Sequence, residues 1–133
     1  MLILFLQRVL SHYRQFAAVL LALGILTGLF VLGAQPVAVN LIPSPWDKLA
    51  HGAIFALLAC GIGVASGLDG RHRLLFAVAT AGLVGAVDEW HQMYLPGRQA
   101  SWGDLAADVV GSIAGAIVLA MSRKLASLNN HGN

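Results

Sequence analysis

Asp88-Glu89-Trp90-His91-Gln92, then Pro96-Gly97-Arg98, then Ser101, Asp104 and Asp108 form the one dense polar run in a very apolar chain. The acids at Asp88 and Glu89 follow directly on Leu74 to Val87, which carries no charge. Asp104 and Asp108 open the next apolar run at i, i+4 spacing, which puts them on one helix face. A second polar group, Asp47 and Lys48 with His51 a turn further on, opens an earlier apolar run. Ionisable groups at membrane depth are costly unless they face protein or water, so their default reading is a functional site.

These residue types carry definite chemistry. His51, oriented by Asp47, suits general acid or base work, with Asp88 and Glu89 as further candidate catalytic groups. Lys48 and Arg98 suit a phosphate or carboxylate, Arg98 through the two parallel donors of its planar fork. Gln92, one turn after Asp88, shares that face and is assigned to the same binding pocket. Asp88, Glu89, Asp104 and Asp108 make an oxygen-rich set for a divalent cation, which favours magnesium, calcium or manganese over zinc. The structural alternative is an internal ion-pair network that clamps the helices together, because buried charges must pair whatever the protein does.

Positioning these groups falls to apolar helices. Hydrophobic residues make up 58% of the 133 residues and charged ones 11%, against roughly 25% charged in soluble domains. A soluble domain of this size lacks the interior to bury several long uncharged helices, so the class is integral membrane protein in a lipid bilayer. The net charge of +2 is small and the basic residues are scattered, which excludes a nucleic-acid partner. The single cysteine, Cys60, lies in an apolar run and reads as a small buried hydrophobe.

The fold class is all-α: a four-helix transmembrane bundle in one membrane domain, with an N-terminal amphipathic segment. Met1 to Gln15 mixes apolar residues with Arg8, His12 and Arg14, as a helix lying at the membrane surface does. Spans are expected at about 16–34, 48–66, 74–94 and 104–121, the first reaching roughly 28 Å at 1.5 Å per residue. A cleaved signal peptide is the rival reading of the first span, disfavoured by the length of the apolar run and by Leu32 at the −3 position before Ala34. Pro36, Pro43 and Pro45 mark an exposed connection, Gly67 to Arg73 a short loop, and Pro96-Gly97 the end of the third helix. Gly24/Gly28, Gly63/Gly67 and Gly111/Gly115 each form a small-xxx-small pair, read mainly as close helix packing and secondarily as a homo-oligomer face.

Arg8, Arg14, Arg71, Arg73, Arg123 and Lys124 fall on one side of the spans and only Lys48 and Arg98 on the other. The positive-inside rule therefore puts both termini in the cytoplasm and the polar site at the outer face. Trp46, Trp90 and Trp102 lie at that outer edge, as an interfacial belt does.

Asp47-Lys48-x-x-His51-x-x-x-Phe55, Asp88-Glu89-x-x-Gln92, Pro96-Gly97-Arg98, and Asp104, Asp108, Gly111 and Gly115 together resemble the VanZ-like family of small membrane proteins. The likeness covers Asp47 to about Gly115, and the family often carries asparagine where this chain has Asp108. The resemblance implies a multi-span bundle in a bacterial inner membrane and, through the founding member's link to glycopeptide-antibiotic resistance, a cell-envelope role. Two function classes follow. One is an enzyme or binder of a lipid-linked envelope precursor, lipid headgroup or glycopeptide-related ligand at the outer leaflet. The other is a proton- or ion-linked transporter or partner-binding envelope subunit, since coupled carboxylates and a histidine also serve proton relays.

Overall fold

The computed structural model describes residues 1–39 and 41–131, with side chains as far as 125. Four α-helices follow one another: α1 (Leu2–Thr27), α2 (Trp46–Ala65), α3 (Gly70–Gln92) and α4 (Trp102–His131). No strand occurs among the described residues, and the all-α bundle is as expected. Three stretches are long and apolar enough to cross a membrane: Leu2–Leu32, Trp46–Ala65 and Trp102–Leu125. At 23 residues α3 has the length, about 34 Å at 1.5 Å per residue, but the acids near its end lower its apolar content below that of the others.

The N-terminal segment is not a separate surface element. Residues 2–27 form one unbroken helix that runs straight into the first apolar stretch, since neither glycine nor proline interrupts the chain before Gly24. The helix then widens into a π turn over Gly28–Leu32, and Pro36–Ala38 form a short 3-10 turn in the connection to α2. A π turn inside a long helix often sits at a functional site. Large apolar side chains around α1, from Leu2 to Leu32, remain exposed, which suits a helix with lipid as its solvent.

Helix α2 is central and packs against the other three. The core is small: Phe55, Leu58 and Ala59 of α2 meet Ala77 and Ala81 of α3, with Ala22, Ile25 and Leu29 of the first helix packed on them. Buried positions on α3 run Ala77, Ala81, Gly85, Asp88, Glu89 and Gln92. This single stripe starts small and apolar and ends polar, so the face that packs the bundle also delivers the acids. On α4 the matching stripe is Asp108, Gly111, Ser112, Gly115, Ala116 and Leu119.

Phe30 and His91 pack with ring centroids 5.5 Å apart and planes tilted by 54°, and His51 and Asp108 meet at the same end. The ends of α1 and α3 therefore share one end of the bundle with the starts of α2 and α4. At the other end the Gln15 amide lies against Gly67, and Arg123 pairs with Asp69.

Candidate functional site

Helix α4 begins where the Ser101 hydroxyl accepts a bond from the Asp104 N–H at 3.3 Å, an N-terminal cap that fixes its register. That register turns Asp104 and Asp108 toward α2. Lys48 Nζ donates to Asp104 Oδ1 at 2.9 Å and lies 3.5 Å from Asp47 Oδ2. One turn deeper, His51 Nδ1 and Asp108 Oδ1 are 2.9 Å apart, with Asp108 fully buried. The partner of the histidine is thus Asp108 and not its own helix neighbour Asp47. Gly85 makes room for this: a Cβ there would lie 2.9 Å from Asp108 Oδ2.

From the end of α3, Gln92 Nε2 donates to Asp88 Oδ2 at 3.0 Å, while Glu89 Oε2 accepts the Ser101 backbone N–H at 2.6 Å. Glu89 thereby ties the end of α3 to the start of α4 across the Pro96-Gly97 turn. Asp88, Glu89 and Asp108 are 2%, 6% and 0% exposed. The lysine and arginine side chains go elsewhere: Lys48 to Asp104 and Asp47, Arg123 to Asp69, and Arg98 Nη2 to the carbonyls of Gly33 at 2.9 Å and Ala38 at 3.1 Å. Buried atoms without a partner among the described residues are Glu89 Oε1, Asp108 Oδ2, Asp47 Oδ1, His91 Nδ1 and Arg98 Nε at this end of the bundle.

A cavity of about 890 Å³ opens beside these groups. Its apolar wall comes from Ile25, Leu29 and Leu32 on the first helix and from Val37, Val39, Leu41 and Ile42 in the connection. Its polar wall is His51, Asp88, His91, Gln92, Arg98 and Asp104, with Asp47 at the edge. The expected residues thus divide. His51, Asp88, Gln92 and Arg98 face one cavity, whereas Glu89 and Asp108 lie behind its lining, and Lys48 is engaged with acids. The four carboxylates do not gather as one set. Asp104 sits with Lys48 and Asp88 with Gln92, and the groups whose ligand atoms approach one another within 4.8 Å are His51, Glu89 and Asp108.

The sequence reading, in which Ser101 is a candidate cap of the fourth helix, missed the π turn and the wall it builds, the bond from the Ser101 N–H to Glu89 that joins α3 to α4, and Gly85 beneath Asp108. Gly85 was legible as the residue one turn before Asp88 and Glu89 on the same face. The π turn has no comparable signal in one sequence.

Glu89 provides a test of the joint. Glu89→Ala strands the half-buried Ser101 N–H and is expected to cost about 1 kcal/mol, whereas Glu89→Gln keeps an acceptor oxygen and most of the stability. Reversible unfolding in mixed micelles measures both, and equal losses would remove Glu89 from this role.

Comparison with known proteins gives one family. No curated protein and no solved structure matches the chain. The family model described as VanZ/LLP1 matches residues 6–123, nearly the whole chain and every helix that builds the cavity. The chain belongs to the VanZ/LLP1 family.

Proposed function

We propose that this membrane protein binds a lipid-linked molecule of the bacterial cell envelope, with the polar headgroup in the cavity and the acyl or prenyl chain along the first helix. The observation that carries the reading is the two-sided cavity, apolar on Ile25, Leu29 and Leu32 and polar on His51, Asp88, Gln92 and Arg98. An amphiphile entering sideways from the bilayer meets both walls in the order its own structure presents them. The volume of about 890 Å³ lies within the roughly 300–1,000 Å³ range of ligand pockets. Arg98, in the cavity lining, offers a positive charge to an anionic headgroup.

Gly28 supplies the test, because it lines the cavity and a Cβ there meets nothing within 4 Å. Gly28→Phe is expected to put a ring into that space. Wild-type protein extracted in native nanodiscs is expected to carry an anionic envelope lipid enriched over the surrounding bilayer by mass spectrometry, and Gly28→Phe to lose it. Identical lipid profiles would overturn the reading. Specific capture of a glycopeptide without lipid, or proton flux in liposomes that survives Gly28→Phe, would replace it.

We place the site at the outer face of the inner membrane, with four crossings and cytoplasmic termini. Support comes from six basic residues at the end of the bundle where Asp69 and Arg123 meet, against Lys48 and Arg98 at the cavity end. Single-cysteine variants in a background with Cys60 replaced are expected to react with an impermeant thiol reagent in intact cells at Ser44 and Gln99 and to stay silent at Asp69. Labelling at Asp69 would turn the protein over and put the cavity in the cytoplasmic leaflet.

A further inference from the structure

We infer that His51, Glu89 and Asp108 form a binding site for one divalent first-row transition metal ion, with Zn²⁺ as its tightest physiological occupant. Each residue comes from a different helix, and each offers a ligand atom within 4.8 Å of the others. Ligands of one zinc ion sit about 2.0–2.2 Å from it, so around a tetrahedral ion they lie about 3.3–3.6 Å apart. The three groups must draw in around the ion by up to about 1.5 Å from their present spacing.

Two further observations point to a cation rather than to hydrogen bonding alone. Glu89 and Asp108 are more than nine-tenths buried, and each keeps one carboxylate oxygen, Oε1 and Oδ2, without a partner. A buried carboxylate oxygen left unpaired is costly, and the nearby fixed cations are engaged with Asp104, Asp47 and backbone carbonyls. A divalent ion satisfies both oxygens and offsets both charges at once. The bond between His51 and Asp108 already aligns imidazole and carboxylate, and metal binding displaces its proton to solvent.

The donor set decides the class of ion. One imidazole nitrogen with two carboxylates is softer than the all-oxygen cages magnesium and calcium prefer and suits zinc, iron or manganese, with zinc favoured among these by the general order of affinities. Three protein ligands leave a position open, as in zinc sites that do chemistry. His51 lines the cavity, so that position is reachable from it.

The experiment uses the full chain without a polyhistidine tag, in lipid nanodiscs, stripped by chelator and free of added envelope lipid, so that it stands apart from the headgroup reading. Titration with Co²⁺ is followed by its visible ligand-field absorption, with Zn²⁺ as competitor. One equivalent is expected to bind, Zn²⁺ displacing Co²⁺ and millimolar Mg²⁺ failing to. Asp108→Asn and Glu89→Gln are each expected to weaken binding at least about 100-fold, since even outer-shell partners are worth about 10–100-fold. His72→Gln, at an exposed histidine on the far end, is expected to change nothing. X-ray absorption of the wild-type zinc form, which needs no variant to fold, is expected to show one imidazole among light-atom ligands. Zinc is also expected to raise the unfolding temperature, because it joins three helices. No imidazole or several imidazoles in the zinc shell, binding unchanged in both carboxylate variants, magnesium as effective as zinc, or no binding at all would each overturn the site.

Discussion

Arg98→Lys is expected to reduce retention of the bound envelope lipid about tenfold or more while the bundle unfolds near its normal temperature, each tenfold being about 1.4 kcal/mol. The guanidinium uses Nη2 to hold the carbonyls of Gly33 and Ala38, in the first half of the connection that walls the cavity. Hydrogen bonds from a charged donor contribute about 1.5–3 kcal/mol, and an ammonium on a different stem does not reproduce the pair. The loss stays local because the connection held by Arg98 contributes no residue to the core of Phe55, Leu58, Ala59, Ala77 and Ala81. Lipid mass spectrometry on native nanodiscs, run beside thermal unfolding of the same sample, reads both quantities. Retention that falls only as far as the folded fraction falls would return the polar groups to a purely structural clamp. Unchanged retention would remove Arg98 from the binding wall.

What the sequence made legible was chemistry arranged by depth. The uncharged runs announced helices, the acids and His51 at their ends announced one polar end, and helical spacing put Asp104 and Asp108 on a common face, which the structure turns toward Lys48 and His51. Pairing between helices was not legible. His51 was assigned to Asp47 because both are visible a turn apart in one segment, whereas its partner lies 57 residues away on α4. Arg98 illustrates the same limit: its type suits an anion, but two backbone carbonyls of a distant connection meet it first. Backbone acceptors leave no trace in residue types, so a reading based on side-chain complementarity overlooks them. The unbroken start of α1 has a related cause, since amphipathic composition does not reveal whether a helix bends at the interface or continues.

Gly111→Val and Gly115→Val are each expected to cost about 3 kcal/mol or more, the upper end of overpacking effects, and Gly24→Ala is expected to be neutral or stabilising by up to about 1 kcal/mol. All three glycines belong to small-xxx-small pairs that look alike in sequence. In the bundle they differ. A Cβ on Gly111 would collide with the backbone of Gly52, and one on Gly115 with the backbone of Ala56, whereas one on Gly24 meets nothing within 4 Å. Backbone cannot swing aside as a long side chain does, so α2 and α4 must separate. The contact of Gly52 with Gly111 lies one residue from His51 and three from Asp108, so the same separation stretches their 2.9 Å contact. Stability by reversible unfolding in bicelles and metal affinity by Co²⁺ absorption are therefore expected to fall together in the smaller change Gly111→Ala, with Gly24→Ala as control. Gly111→Ala behaving as Gly24→Ala does would mean that α2 and α4 are not in backbone contact, and the geometry that joins His51 to Asp108 would go with it.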